Sequence, residues 1–208
     1  MAAEAALMYI KPGMVVGVGT GSTVEYFIDA LVREKSHIKG VIASSEATEQ
    51  KLRDRGFKIL SLAEANPDIY VDGADRFNAN KELIKGGGGA LMREKILANQ
   101  APIFICIVDE SKFDPSLSTY PLPVEVVPFA TASVTAQLER LGAKPMLRQA
   151  TTDNGNRIID VHNLNLKNSR QMEQKVNQLT GVVDNGIFAQ RKADVILIAG
   201  KSGLRTLQ

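Results

Sequence analysis

Between Asp72 and Glu94 the chain gathers the residue types that proton transfer on an anionic ligand requires. Asp72-Gly73-Ala74-Asp75 supplies two carboxylates, Lys85 an ammonium, Gly86-Gly87-Gly88-Gly89 a stretch of unobstructed backbone, and Glu94 a further carboxylate. Four consecutive glycines are costly to order, because glycine loses more backbone freedom on folding than any other residue. A fold keeps such a run where its backbone must approach something closely. A second cluster, Gly17-Val18-Gly19-Thr20-Gly21-Ser22-Thr23, lies upstream. Together they suggest two backbone cradles for one polar ligand.

Each residue carries a chemical reading and a plain one. Glu94 falls in the first turn of the helix expected after the glycines, where the helix dipole keeps a carboxylate ionised and suited to be a base. The plain reading is an ordinary helix-start glutamate. Lys85 precedes the glycine run, where an ammonium can stabilise charge developing on a substrate oxygen; an exposed lysine would have no role. Asp72 and Asp75 stand at a strand end, the position from which open α/β sheets bind ligands. Carboxylates there accept hydrogen bonds from hydroxyls, hold a divalent metal or cap turns, and residue type alone does not choose. Thr20, Gly21, Ser22 and Thr23 link a strand to a helix, so their amides and hydroxyls can meet an anion; the alternative is a tight turn that binds nothing. The dinucleotide pattern G-x-G-x-x-G fails, since Ser22 stands where its third glycine belongs. A Walker loop fails for want of Gly-Lys-Ser/Thr. Ser44-Ser45 ends the next strand and could line the same crevice. Lys112, in Asp109-Glu110-Ser111-Lys112, lies past an apolar strand, in ligand territory or in a solvated loop. His37 and His162 have no nucleophile or ligand-spaced partner, which argues against a triad or a zinc site.

Composition bounds the answer. The chain has 208 residues, 44% hydrophobic and 23% charged, as expected of a soluble globular protein with one large domain or two unequal ones. The net charge of +2 comes from scattered basic residues. That balance suits an anionic metabolite and lacks the basic footprint of a nucleic-acid binder. Cys106 is the only cysteine, in the apolar run Phe104–Val108; it reads as core filler, allows no intrachain disulfide and points to a reducing compartment. No basic-then-apolar leader opens the chain, and no apolar run approaches the roughly 20 residues of a membrane span. A cytoplasmic protein with no membrane association is expected.

The elements that must position these residues alternate. A short helix over 4–10 is followed by a strand over Met14–Val18, a helix with Val24, Phe27, Ile28 and Leu31 on one face, and a strand over Gly40–Ala43. A helix over Glu46–Arg55 ends at Gly56, a C-cap. Strands over Phe57–Leu60 and Asp68–Asp72, a helix over Ala90–Asn99 and a strand over Pro102–Val108 come next. This alternation predicts an α/β fold with a doubly wound, mostly parallel sheet. After Tyr120-Pro121-Leu122-Pro123 the order changes. A strand (Val124–Val127), a helix (Ala130–Leu141), strands at Pro145–Gln149 and Arg157–Val161 around an Asn154-Gly155 turn, a helix (Ser169–Leu179) and a strand (Gly181–Phe188) make β-α-β-β-α-β. That is the split motif of a small ferredoxin-like α+β domain, inserted before a last apolar strand at Ala193–Ala199. The expected domains are 1–120 plus 190–208, and 121–189.

In combination these segments resemble ribose-5-phosphate isomerase of the A type. The resemblance rests on Val15–Thr23, Tyr70–Asp75, Ile84–Lys95, Asp109–Lys112, Pro121–Val126 and Thr152–Asn156, in family order over nearly the whole chain. It implies interconversion of ribose 5-phosphate and ribulose 5-phosphate in the pentose phosphate pathway, with no cofactor and no metal, by a dimer or tetramer of a doubly wound domain plus a small α+β domain. It further implies that Thr20–Thr23 hold substrate, that Asp72–Asp75 bind the sugar, that Lys85–Gly88 are the family's Lys-Gly-Gly-Gly segment, that Glu94 accepts the proton, and that Lys112 is the family's Ser-Lys lysine. Two features depart from the family pattern. Arg76 stands where an acidic residue is usual, reversing a charge beside the site. The sequence also begins at Met1-Ala2-Ala3-Glu4, where relatives often carry a longer helix with lysines. The rival readings are a sugar-phosphate sensor, which would not need Glu94 or Lys85, and an acyl-CoA transferase or amino-sugar-phosphate deaminase. A transferase needs a nucleophilic glutamate with a CoA channel, and a deaminase needs a histidine near the base.

Overall fold

The computed structural model describes all 208 residues, Met1–Gln208. The first part of the chain runs through α1 (Ala2–Ala6), β1 (Val15–Val18), α2 (Ser22–Leu31), β2 (Gly40–Ala43), α3 (Glu46–Asp54), β3 (Ile69–Asp72), β4 (Arg76–Phe77), β5 (Leu83–Ile84), α4 (Leu91–Gln100) and β6 (Ile103–Asp109). It continues through β7 (Leu122–Val126), α5 (Thr131–Arg140), β8 (Lys144–Thr151), β9 (Arg157–His162), α6 (Ser169–Asn177), β10 (Val182–Asn185), β11 (Ile187–Phe188), β12 (Val195–Gly200) and β13 (Gly203–Leu207). Contacts divide it into two compact units, one of Met1–Gly73, Arg93–Ser111 and Ala193–Gln208, the other of Ala74–Met92 and Lys112–Lys192.

The first unit holds a six-stranded sheet in the order β13-β12-β6-β3-β1-β2. Its neighbours are parallel except for the β12–β13 pair. Residues 15–18 of β1 and 69–72 of β3 are buried throughout, which is why these strands read as apolar runs and not as alternating patterns. Helix α2 lays Val24, Phe27, Ile28 and Leu31 against the sheet core of Val16, Val18, Val71, Ile105, Ile107 and Leu197. From β1 the chain moves through α2 to β2 on one side, while β3 lies on the other. The strand order therefore reverses between β1 and β3, and open α/β sheets bind ligands outside the carboxyl ends of strands at such a point.

The second unit holds an antiparallel sheet in the order β10-β7-β9-β8. With α5 between β7 and β8 and α6 between β9 and β10, it follows the expected β-α-β-β-α-β path. Val124, Val126, Ile159 and Val161 of the sheet and Val134, Leu138 and Val176 of the helices form its core. The Asn154-Gly155 turn joins β8 to β9, with Gly155 at φ 76°. A separate three-stranded sheet runs β11-β5-β4.

Several elements differ from the sequence reading. The strand expected over Gly181–Phe188 is two strands in different sheets. At Gly186 the N–H donates to Pro123 O at 2.8 Å and the carbonyl accepts from Lys85 N at 2.9 Å, so the chain leaves β7 and pairs with β5. The strand expected over Phe57–Leu60 is reduced to one bridge, between Ile59 and Val41. Strands β4, β5 and β13 were not expected; the first two have only two residues each, too few to show a period. The expected domain limits followed element order along the chain, whereas contacts draw the line elsewhere because β5 pairs with β4 on one side and with β11 on the other.

Asp114 secures the loop between β6 and β7. Its buried carboxylate accepts from Ser116 N (3.0 Å), Ser116 Oγ (2.8 Å), Thr119 N (2.8 Å) and Thr119 Oγ1 (2.8 Å). Burial pushes its pKa up, but the hydrogen bonds from Thr119 and Ser116 outweigh that and hold it at about 2. Its stabilisation is complete above the unfolded-state pKa near 4 and fades as the pH falls through the folded value. Asp114→Asn should cost about 2 kcal/mol at neutral pH. The deficit against wild type should shrink on acidification, as read by urea unfolding across pH; a deficit independent of pH would refute the assignment.

Candidate active site

In the first unit the turn after β1 is moulded on one carboxylate. Asp72, at the end of β3, is fully buried. Its Oδ1 accepts from Thr20 N at 3.1 Å and Gly73 N at 2.7 Å, and its Oδ2 from the Tyr70 hydroxyl. Gly19 N donates to Val71 O at 2.9 Å, which brings the turn against the strand. A Cβ on Gly19 would lie 1.9 Å from Asp72 Oδ1, so only glycine allows this approach. The Tyr70 phenol is driven well above its usual pKa by burial and then by the charges of Asp72 and Glu94. It therefore stays protonated and serves as a donor.

Hydroxyls extend the arrangement. Thr48 Oγ1 donates to Gly19 O at 2.9 Å and lies 3.1 Å from Thr20 Oγ1, which accepts from Ser45 Oγ at 3.1 Å. Ser45 caps α3 by accepting from Thr48 N at 3.0 Å. Gly21, at φ 108°, precedes α2, whose first residue is Ser22. Thr23 is half-buried, with Gly73 alongside it. Thr20, Thr23, Asp72 and Gly73 are thus brought together at the point of strand-order reversal, with Ser45 beside them. Glu94 sits in the first turn of α4 and is only 3% exposed. Its neighbour Arg93 pairs with Glu46 at 3.5 Å.

In the second unit the glycine loop is gripped from two sides. Gly87 N donates to Asp75 Oδ2 at 2.8 Å. Arg148 Nη1 donates to the carbonyls of Gly86 and Gly87, at 3.2 Å each. Gly86 takes φ 103°, and a Cβ there would meet Leu91 Cδ2 at 2.9 Å. Gly88 is exposed, and Ala74 half-exposed. Lys85 is 2% exposed, with Nζ 5.6 Å from the centroid of the Phe188 ring. Lys112 ends a short 3-10 helix and is half-exposed. Arg76 is engaged locally: Nη1 donates to Asp75 O at 2.6 Å, Nε donates to Thr119 Oγ1 at 2.8 Å, and the guanidinium lies 5.3 Å from the Tyr120 ring centroid. The charge reversal noted in the sequence is thus engaged by Asp75, Thr119 and Tyr120 around it. The Tyr120 phenol is raised by burial and then by the Asp75 charge.

Tyr70, Thr48, Tyr120, Arg148 and Asp160 were not anticipated. Arg148 lies 62 residues from Gly86 in sequence, and no local pattern links them. The segments Pro121–Val126 and Thr152–Asn156 were noted without a role. They meet at Glu125, fully buried, whose Oε1 accepts from Thr152 Oγ1 (2.9 Å), Asn154 Nδ2 (3.1 Å) and Asn156 Nδ2 (2.9 Å). No group of three or more His, Cys, Asp or Glu side chains is placed to hold a metal ion.

A family model describing ribose 5-phosphate isomerase A (phosphoriboisomerase A) matches residues 40–203. The ribose-5-phosphate isomerase A of Acidithiobacillus ferrooxidans is 53% identical over 206 residues, covering 98% of this chain and 94% of that protein. The crystal structure of ribose 5-phosphate isomerase A from Neisseria gonorrhoeae superposes with a TM-score of 0.96 at 41% identity, covering 99% of this chain and 93% of that one. A D-ribose-5-phosphate isomerase solved in complex with phospho-erythronic acid gives a TM-score of 0.94 at 36% identity, covering 100% of this chain and 96% of that one.

Tyr70→Phe tests the brace on Asp72. The ring still packs on Phe104, 5.2 Å between centroids, but a buried carboxylate loses one donor. The expected cost is about 1.5–3 kcal/mol, as for a hydrogen bond to a charged group, read from the urea midpoint at unchanged m-value. A midpoint equal to that of wild type would show that the hydroxyl does not support the turn.

Proposed function

The chain belongs to the ribose 5-phosphate isomerase A family of aldose–ketose isomerases, and from that premise we propose that it interconverts ribose 5-phosphate and ribulose 5-phosphate through an enediolate, with Glu94 as general base. The observation that carries this reading is the burial of two ionisable side chains. Lys85 and Glu94 are 2% and 3% exposed, although lysine and glutamate are mostly found at the surface of soluble proteins. Ionisable groups withdrawn from solvent cluster at functional sites.

The isomerisation moves a proton between adjacent carbons. In the open-chain aldose, Glu94 takes the proton from C2. The C2–H electron pair forms the C1–C2 double bond, and the carbonyl electrons move onto O1. The Lys85 ammonium and amides of the glycine loop donate to that oxygen, and removing one such donor commonly costs roughly 3–4 kcal/mol. A proton passes from O2 to O1, Glu94 returns its proton to C1, and the carbonyl re-forms at C2. No electron acceptor is consumed and no atom is gained or lost.

The remaining site residues orient substrate. Asp72 orders the Thr20, Gly21, Ser22 and Thr23 turn, whose amides and hydroxyls bind the sugar phosphate together with Gly73 and Ala74. Asp75 holds the loop of Gly86, Gly87 and Gly88 and helps to orient a hydroxyl, and Lys112 meets a polar end of the substrate. The ligand of the solved relative, phospho-erythronic acid, agrees with this chemistry, since its carboxylate has the shape and charge of an enediolate end. The assembly is proposed to be a cytoplasmic homodimer or homotetramer. Phe129 is fully exposed, and Met146 and Leu147 on edge strand β8 are 55% and 50% exposed, so apolar side chains and an open sheet edge are available to a second copy of the chain. Sedimentation equilibrium should give two or four chains, and a monomer at micromolar concentration would count against this.

The direct test is a coupled assay of ribose 5-phosphate against other pentose and hexose phosphates, which also separates the isomerase from a sensor, transferase or deaminase. In Glu94→Gln, which keeps size and hydrogen bonding, kcat should fall by at least about 10²–10⁴-fold with KM little changed. Exchange of the substrate C2 proton with D₂O should be lost in parallel. Wild-type turnover in that variant would remove Glu94 as the base.

A further inference from the structure

We infer that Arg148 is a positioning residue for the isomerisation, which sets the direction of the glycine-loop amides; the inference rests on the reading of that loop as a donor to the developing oxyanion. The guanidinium is itself fixed. Nε donates to Asp160 Oδ2 at 2.9 Å and Nη2 to Asp160 Oδ1 at 2.5 Å, the two-pronged pairing that gives a guanidinium and a carboxylate a defined mutual geometry. In the β8–β9 register Asp160 lies opposite Met146, and Arg148 follows two residues later, where the register shifts. The third nitrogen, Nη1, takes both carbonyls, those of Gly86 and Gly87.

Peptide geometry gives this contact its consequence. Every peptide bond in the chain is trans, so the C=O and N–H of one planar unit point in opposite directions. With the Gly86 carbonyl turned onto Arg148, the Gly87 N–H faces the other way, where Asp75 Oδ2 accepts it at 2.8 Å. The next peptide repeats the pattern. With the Gly87 carbonyl also on Nη1, the N–H of exposed Gly88 must face away from Arg148. The Gly86 carbonyl additionally accepts from Gly89 N at 3.0 Å, closing the turn.

No side chain within Gly86–Gly89 resists rotation of these peptides, because glycine populates both signs of φ with similar ease. The restraint must come from outside, and Arg148 and Asp75 supply it, one on the carbonyl edge and one on the amide edge. Asp75 secures the Gly87 N–H; Arg148 alone of the two also fixes the peptide that carries the Gly88 N–H, the amide left to meet substrate. A lysine at this position would keep the charge but lose the fork, since an ammonium cannot grip a carboxylate bidentately and hold two carbonyls in a fixed plane.

The test compares wild type, Arg148→Lys and Asp160→Asn. The readouts are kcat and KM for ribose 5-phosphate, the inhibition constant of a phosphorylated four-carbon aldonate, and the thermal midpoint. With midpoints showing a folded protein, Arg148→Lys should lower kcat by about 10²-fold, as misplacement of a donor by about an ångström does. KM should change much less, and aldonate binding should weaken in step with kcat. Asp160→Asn should shift the same parameters in the same direction, and it carries the test alone if the Arg148 variant does not fold. A wild-type kcat in a folded variant, or a lowered kcat with unchanged aldonate affinity, overturns the inference. Turnover by wild type with an unaffected Arg148→Lys removes this inference alone, whereas absence of turnover in wild type removes the functional reading with it.

Discussion

The Asp72 carboxylate accepts from the Tyr70 hydroxyl and from the amides of Thr20 and Gly73, and the turn after β1 is shaped around it. A buried carboxylate without donors is expensive, and one with several is rigid. The charge therefore dictates what surrounds it. Position 19 must be glycine, because a methyl there would collide with the carboxylate. Position 70 must bring a hydroxyl through the core, and the Thr20 amide must turn inward, leaving its Oγ1 to Ser45 and Thr48. The backbone at Gly19 and Thr20 is thereby held by groups of the protein itself.

The second unit solves a related problem with its carbonyls. A loop of four glycines has no side chains to define it, so it is defined by what holds its backbone: Asp75 on the Gly87 amide and Arg148 on the carbonyls of Gly86 and Gly87. Glu125 does the same for the 152–156 turn, gathering a hydroxyl and two side-chain amides on one buried oxygen. In each case a charged group on or beside a regular strand orders an irregular segment. Polar networks of this kind specify one conformation where apolar packing would accept several.

Much of this was legible in the residues. The parallel sheet could be read because β1, β3 and β6 are buried on both faces and so appear as unbroken apolar runs. The ferredoxin-like order could be read because α5 and α6 alternate with strands around an Asn-Gly turn. What escaped had no local signal. Strands β4 and β5 have two residues each, and β5 pairs on its other side with β11, about a hundred positions later. The break at Gly186 depends on Pro123 O accepting from its amide and Lys85 N donating to its carbonyl. Lys85 could be singled out by its place before the glycine run, but nothing along the chain showed that the fold would withdraw it from solvent.

By itself the sequence determined the alternation of elements, the carboxyl-end placement of Gly19–Thr23 and Asp72, and the identity of the ionisable groups, since periodicity, turn chemistry and residue type are properties of neighbours along the chain. Tertiary structure alone decided which hydrogen bonds those groups make: that Asp72 braces the turn, that Lys85 and Glu94 are buried, and that Arg148 holds a loop 62 residues away. The reason is physical. Burial and hydrogen-bond partnership are set by distance in space, and strand pairing brings together residues whose separation in sequence carries no trace of the contact.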